Sequence, residues 1–227
     1  MYLPMTNNVK RLIALCSALL LAASAFGQVA GAPARNHYEN VDKVQASDGT
    51  VFLVASHADN KFFLLKIADN IYRDYELNCH KDGTPVDTME EMHEVHVDLA
   101  DKDSFTRVLQ KMFDDTQILE LRRERWPMTV FIFVNPDDGT VFDCSFFIKN
   151  IPVLASQSPD FYVKFNRLIK EEVRWTANEA ARKLLFVNMA IPGMFAHVPL
   201  SSELHTTDQE AAQKSDIPAL HVGPTSP

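Results

Sequence analysis

The stretch that decides the fold is Thr129-Val130-Phe131-Ile132-Phe133-Val134, followed by Asn135-Pro136-Asp137-Asp138-Gly139-Thr140 and then by Val141-Phe142-Asp143-Cys144-Ser145-Phe146-Phe147-Ile148. The two outer runs are rich in β-branched and aromatic residues, and the linking segment contains a proline and an Asp-Gly pair, which favour a turn. The stretch therefore predicts an antiparallel hairpin. Alternation along the second strand places four side chains on one face: Phe142, Cys144, Phe146 and Ile148.

A helix and a third strand are predicted after the hairpin. Ser158-Pro159-Asp160 combines an N-cap residue, a first-turn proline and an acid at the positive end of a helix. The apolar residues that follow recur at helical spacing: Phe161, Phe165, Leu168, Ile169 and Val173. Residues Leu184 to Ile191 are β-rich and stop at Pro192-Gly193, so the predicted order is hairpin, helix, strand.

The segment before the hairpin is harder to interpret. Asp103 precedes an amphipathic set that predicts a helix: Phe105, Val108, Leu109, Met112 and Phe113. Residues 51–54 and 93–99 are typical of strands. Residues 62–77 fit either one helix or two strands that turn at Asp69-Asn70, and the helix is favoured because its periodic run is long and the turn lacks a glycine.

Both ends of the chain have a composition that predicts flexibility. Residues 28–48 and 200–227 are small and polar, so they bury too little apolar surface to offset the entropy of ordering. We expect a folded body over residues 49–199, with an N-terminal α+β portion at 49–118 and a second portion at 119–199. The predicted class is α+β, an antiparallel sheet with helices packed on one face.

Residues 1–27 have the order of a secretory signal. Lys10-Arg11 precedes the apolar run from Leu12 to Ala25, which ends in small residues that suit cleavage. The run is too short for a comfortable membrane span of about 20 residues. We therefore expect export to the periplasm or the exterior, with no stable membrane insertion of the mature chain. A retained N-terminal anchor is the alternative.

The charge of the chain excludes several classes of partner. The chain has 22 basic and 30 acidic residues, and residues 1–27 hold two of the basic residues and none of the acidic ones, so the chain without them has a net charge of −10. An acidic chain with no basic tract lacks the electrostatic attraction that dominates nucleic-acid affinity, so no nucleic-acid partner is expected. The seven glycines are too widely spaced for a dinucleotide or phosphate loop, and no cofactor is predicted.

Two cysteines remain once the signal is removed. In an oxidising compartment Cys79 and Cys144 form either a disulfide, worth about 4 kcal/mol for a loop of this size in the chain-entropy model, or two buried thiols. The sequence leaves both arrangements open, because it does not give the distance between the two Cα atoms.

The segment His93-Glu94-Val95-His96, with Asp98 beyond it and His80 upstream, is the pattern nearest to a metal site. The two histidines are three residues apart rather than the four of a helical zincin site, and on a strand they point to opposite faces. His93, His96 and Asp98 are therefore weak metal candidates. Exposed polar residues on a half-buried strand explain them with fewer assumptions.

The densest basic cluster is Leu121-Arg122-Arg123-Glu124-Arg125-Trp126. Arginine pairs well with carboxylates and stacks on aromatic rings, so this cluster is a candidate for holding an anionic partner or for stacking a ligand on Trp126. The favoured interpretation is a solvated approach to the hairpin, partly neutralised by Glu120 and Glu124.

Three pieces of the chain carry a family resemblance: residues 126–141, Val173-Arg174-Trp175, and residues 182–192. Over about residues 126–195 the chain resembles the C-terminal domain of TonB-type energy-transducing proteins. The resemblance implies a ββαβ unit that binds a partner by strand addition to its final strand at the sheet edge. It thereby implies partner-binding roles for Leu185, Val187 and Met189.

Three functional hypotheses result. The first is an exported, non-enzymatic protein of a Gram-negative envelope that binds a protein or peptide partner through a sheet edge. The second is a metal-dependent or hydrolytic enzyme that uses His80, His93, His96 and Asp98. The third is a secreted structural subunit that associates with copies of itself. The first is favoured because the sequence contains no complete catalytic motif.

Overall fold

The fold is built on an antiparallel sheet with helices against one of its faces. The computed structural model describes residues 35–70, 78–86, 89–193, 195–201 and 203. Its strands are β1 (Lys43–Gln45), β2 (Val51–His57), β3 (Phe62–Ile67), β4 (Val97–Leu99), β5 (Met128–Val134), β6 (Val141–Lys149), β7 (Trp175–Ala177) and β8 (Val187–Pro192). Its helices are α1 (Met89–Glu94), α2 (Ser104–Met112), α3 (Asp115–Arg123), α4 (Pro152–Ala155), α5 (Pro159–Glu172) and α6 (Glu179–Arg182).

Six strands form one sheet in the order β1-β2-β3-β6-β5-β8, while β4 pairs with β7. The predicted α+β class is confirmed.

Strands β5 and β6 form the predicted hairpin in the interior of the sheet. The register shifts after Phe133, where a β-bulge adds one residue to β6. Because of this bulge, Val141 rather than Phe142 joins Cys144 on the face that packs against the helices. Phe142 packs instead against the cluster around Phe133, on the opposite face. The expectation that Phe142 shares a face with Cys144 is therefore wrong.

The core lies between one face of the sheet and helices α2 to α5. Strand β5 contributes a side chain at every second position, and each is 0% exposed: Met128, Val130, Ile132 and Val134. Helix α5 begins after Ser158 as predicted and buries Phe165 and Ile169, and α2 follows Asp103 as predicted. Full burial of such a side chain is worth about 1.5–3 kcal/mol, so this layer is the main source of stability. We call the opposite face of the sheet the outer face.

The N-terminal half adds three strands to the same sheet. Strand β2 contains the predicted strand at residues 51–54, but β3 occupies residues 62–67, where a helix was expected. Phe63, Leu65 and Ile67 are buried with a period of two. The first four residues of the run are all apolar, so the sequence fits both a helix and a strand. The two-strand alternative, which turns at Asp69-Asn70 without a glycine, fits this part of the chain, because β3 ends at Ile67 and the next two residues form a turn. The helix prediction is wrong over residues 62–67, and residues 71–77 lie outside the described residues.

The predicted flexible linker at residues 28–48 is wrong from Asn36 onward. Tyr38 is 1% exposed, its hydroxyl donates to the carbonyl of Gln157 at 2.8 Å, and β1 pairs with β2. The sequence does not reveal this part of the fold, because a single buried aromatic residue and a three-residue strand do not produce a detectable apolar periodicity. Likewise, Leu200 packs against the core at the start of the predicted tail. The predicted signal and residues 204–227 lie outside the described residues, and none of the described helices is long and apolar enough to cross a bilayer.

The two cysteines lie on different faces of the sheet. Cys144 is buried in the core beside the helices, whereas Cys79 is buried on the outer face with Phe133 and Phe186. No disulfide joins these two thiols. Burial raises the pKa of the Cys144 thiol well above its usual value. Of the two arrangements that the sequence leaves open, the structure has two buried thiols.

We expect both thiols to be silent in the native state. A chain that begins at Gln28 should release no thiol signal with a chromogenic disulfide reagent under native conditions and two equivalents in guanidinium chloride, because burial blocks the reagent and suppresses the thiolate. A Cys144→Ala variant is the control and should give one equivalent in denaturant. Zero equivalents in denaturant before reduction would contradict the arrangement.

We expect Gly139→Ala to be far more destabilising than Gly49→Ala. Both glycines have positive φ, but a Cβ at Gly139 would overlap the carbonyl oxygen of Trp175, whereas a Cβ at Gly49 meets open space. Gly49→Ala should cost about 1–2 kcal/mol of left-handed strain, and Gly139→Ala a further ~1–3 kcal/mol for the overlap. Urea unfolding of both variants measures this difference, and equal midpoints would contradict the close approach.

Candidate functional site

Strand β8 lies at one edge of the sheet, beside β5. Of the three side chains predicted to bind a partner, Leu185 precedes the strand, Val187 is 3% exposed and Met189 is half-buried against the core. Strand alternation places Ala190 and Pro192 on the outer face, and both are exposed. The accessible side chains of this edge are therefore different from those that the sequence suggested.

The backbone of the first half of this edge is already occupied by residues 78–80. The N–H of Asn188 donates to the side-chain oxygen of Asn78 at 2.7 Å, and the N–H of Leu185 donates to the carbonyl of Cys79 at 2.8 Å. Since the Asn188 N–H points away from β5, alternation directs the N–H of Ala190 the same way. Pro192 has no N–H. The outward backbone of β8 is thus accessible over a short stretch around Ala190.

A groove of about 770 Å³ lies on the outer face and reaches β8. Its lining residues are Phe62, Arg125, Trp126, Thr129, Phe147, Lys149, Ala190 and Pro192. The rings of Phe62 and Phe147 are stacked, with centroids 5.0 Å apart and planes 10° apart, and together form an aromatic surface on neighbouring strands β3 and β6. This volume lies within the range of ligand-binding clefts.

Trp126 stands at the rim of this groove in an unfavourable backbone conformation. Its side chain is 69% exposed and its φ is +52°, a left-handed conformation that costs a residue with a Cβ about 1–2 kcal/mol. The backbone after it is fixed on both sides, because the carbonyl of Pro127 accepts from the N–H of Lys149 and the carbonyl of Met128 accepts from the N–H of Gly193, both at 2.8 Å. Backbone strain around an exposed aromatic is a feature of binding sites.

The basic cluster separates into residues with different tasks. Arg122 holds the chain after β8, since its guanidinium donates to the carbonyls of Phe195 at 3.3 Å and Val198 at 2.6 Å. The Arg125 guanidinium instead lies over the ring of Trp126, 4.9 Å from its centroid. A second hollow, of about 330 Å³, lies beside the first and shares Arg125, Trp126 and Pro192 with it. Trp126 therefore borders both hollows.

The predicted histidine cluster does not form. Helix α1 contains His93, so the predicted strand over residues 93–99 is wrong outside β4, which contains Asp98. His80 pairs with Glu91, with 3.1 Å between Nε2 and Oε1. Among the residues that the structure describes, no group of three His, Cys, Asp or Glu side chains is placed to hold a metal ion.

Sequence reasoning singled out Trp126 but missed most of the groove. The missed residues come from four strands: Phe62, Thr129, Phe147, Lys149, Ala190 and Pro192. The pairs Phe62-Phe63 and Phe146-Phe147 contain the available signal, because adjacent strand residues point to opposite faces and two aromatics in succession place one on each face. Such pairs indicate a sheet whose second face is also apolar.

The fold and the groove define the class of the protein: an α+β domain with one six-stranded antiparallel sheet, a helical layer on one face and an aromatic groove on the other. No model of a known protein family matches the chain, and no curated protein sequence matches it. The crystal structure of a DUF5043 family protein from Bacteroides uniformis ATCC 8492, at 1.85 Å resolution, is similar in fold, with a TM-score of 0.54 and 16% sequence identity. The similarity covers 69% of this chain and 92% of that chain. At this identity the likeness concerns the fold alone.

We expect Trp126→Gly to be more stable than Trp126→Ala. Both changes remove the exposed ring, but alanine keeps the left-handed strain and glycine does not, so the free energy of unfolding should differ by about 1 kcal/mol in favour of glycine. Urea unfolding of the two variants measures the difference. Equal stabilities would show that residue 126 is not strained in solution.

Proposed function

We propose that this chain is an exported, non-enzymatic binding protein that holds an extended segment of a protein or peptide partner in the groove beside Trp126. The observation that carries the proposal is the groove itself, an aromatic cleft of about 770 Å³ bordered by a 69% exposed tryptophan. Export is proposed from the signal-like residues 1–27.

The dimensions of the groove suit an extended segment. Apart from Arg125 and Trp126, its lining residues belong to β3, β6, β5 and β8, which are consecutive in the sheet. Neighbouring strands lie about 4.8 Å apart, so the groove spans about 14 Å, the length of four or five extended residues. Aromatic rings provide contact area at low cost in side-chain entropy, and tryptophan is enriched among the residues that dominate binding energy.

Strand addition, as the TonB-type resemblance implies, is an extension of the same contact. A segment that leaves the groove over Pro192 passes the outward N–H of Ala190, where it gains a backbone hydrogen bond. The first half of β8 is already paired with residues 78–80, so the proposed binding energy resides in the groove and a smaller share comes from the edge.

The enzyme and self-association hypotheses have less support. A metal-dependent enzyme needs side chains that converge on an ion, and the described His80, His93, His96 and Asp98 do not form such a group. Self-association would use the same groove with a second copy as its occupant. Light scattering of the chain at increasing concentration tests this arrangement directly, because a dimer would double the scattering mass.

The proposal predicts that the groove selects peptides. Panning a displayed library of random seven-residue peptides on the chain from Gln28 onward should enrich sequences that change the emission of Trp126 when added as synthetic peptides. Trp175 is 7% exposed, so it contributes a nearly constant background. Titration calorimetry, which does not depend on the removed fluorophore, should show that Trp126→Ala weakens binding of the enriched peptides by about 30-fold, the size of a hot-spot residue.

Leu119→Ala is the matched control for this experiment. Leu119 is an apolar side chain that is 41% exposed on α3 and does not line the groove, so its removal should leave the affinity unchanged. The proposal fails if the library gives no enrichment over an empty surface, or if the enriched peptides bind the Trp126→Ala variant as tightly as the parent chain.

A further inference from the structure

The proposed groove contains a cation whose hydrogen-bonding capacity is not used within the described chain. Arg125 is exposed, and the contact that the structure gives its guanidinium is the stacking on Trp126, with no hydrogen bond to any described residue. Arg122 differs in this respect, because backbone carbonyls and Glu203 accept its donors. A guanidinium carries five N–H donors, so Arg125 retains them for a bound molecule.

Lys149 is the second cation in the lining, and it already has a partner. Its ammonium forms an ion pair with the carboxylate of Glu124. Glu124 is therefore committed to Lys149, on β6, rather than to Arg125. The groove thus has one neutralised cation and one cation that is available for an anion, within an acidic chain whose formal net charge is −8.

Arg125 lies over Trp126, with its guanidinium carbon 4.9 Å from the ring centroid. A guanidinium carries its N–H donors in a planar fork, and this fork matches the two oxygens of a carboxylate. The neighbouring surface is apolar, formed by Phe62, Phe147 and Pro192. A charge-assisted hydrogen bond at the border of an apolar surface is less screened by water than one on an open surface.

We infer that the partner of this groove is an acidic peptide, an inference that rests on the proposed function. Arg125 is then the specificity-determining residue. It pairs with an Asp or Glu side chain of the peptide, next to the apolar residues that cover Phe62 and Phe147. The partner is thus defined by its chemistry: a short extended segment with one carboxylate beside apolar side chains. A second copy of the chain is a poorer occupant than a short segment, because it would bring a formal net charge of −8 against an equally acidic surface, whereas the segment brings one carboxylate to Arg125.

Selection experiments on matched variants test this inference. Seven-residue peptides selected on the parent chain should be enriched in Asp and Glu over the starting library, and those selected on an Arg125→Gln variant should lose that enrichment. Arg123→Gln is the control, because Arg123 is exposed in the same cluster but does not line the groove. Its selected peptides should remain acidic.

A second measurement isolates the pair. The most enriched peptide is made with an amidated C-terminus, so that the side chain supplies its carboxylate, and also with glutamine or asparagine in place of the acid. The acidic form should bind the parent chain about 5-fold more tightly, by Trp126 fluorescence, as expected for an ion pair that involves an exposed cation. The Arg125→Gln variant is expected to bind the acidic peptide and its amide counterpart with equal affinity. Equal melting temperatures of the variant and the parent chain exclude a folding defect.

The outcomes separate the two proposals. Enriched peptides without an excess of acid, or an acid preference that Arg125→Gln retains, would overturn the role of Arg125 and leave the binding function standing. An empty selection would overturn the binding function itself. Preference for a free C-terminus over an internal acid would assign the carboxylate to the chain end and contradict the side-chain pairing.

Discussion

Strand β5 places a fully buried side chain against the helices at every second residue, from Met128 to Val134. This one-sided burial constrains the neighbouring strands, because a slip of one residue would turn every apolar side chain of a strand to the other face. The β-bulge in β6 is an example of this constraint. It lets Val141 and Cys144 both face the core although they are three residues apart. The outer face is then composed of the alternate residues of the same strands.

One end of the outer face is covered by other residues, whereas the other end is accessible. At the Phe133 end, Cys79 and Phe186 cover the sheet and form a small buried cluster. At the other end, Phe62 and Phe147 stack on each other and border the groove with Trp126. Covering an apolar face stabilises the fold, whereas leaving part of it accessible costs stability and provides a surface for a partner. The strained backbone of Trp126 adds a further cost at the same place.

The elements that could be predicted from the sequence are those whose local signals agree with the tertiary structure. The hairpin has a turn signal between two β-rich runs, and α5 has a proline and an N-cap residue before a helical period. Residues 62–67 lack such a signal, because four consecutive apolar residues fit a helix and a strand equally and pairing with β2 and β6 decides between them. The position of Tyr38 depends on a contact more than 100 residues away in the sequence. The bulge at Phe142 depends on the register between β5 and β6. No local pattern contains either kind of information. The groove was missed for a related reason, since it exists only after four strands have been ordered.

Net charge alone gives a misleading expectation for the partner of this chain. A total of −8 repels an acidic molecule at long range, but charges on the surface interact over a Debye length of about 8 Å at physiological ionic strength. Within that distance the groove has Arg125 over Trp126, with Glu124 already committed to Lys149. The charged side chains that line the groove, Arg125 and Lys149, are thus both cations on a chain that is acidic as a whole. In the proposed complex, the groove attracts an acidic segment with apolar neighbours, and the rest of the chain repels acidic surfaces that lack them. Attraction at the groove and repulsion elsewhere would together favour a specific partner over a general one.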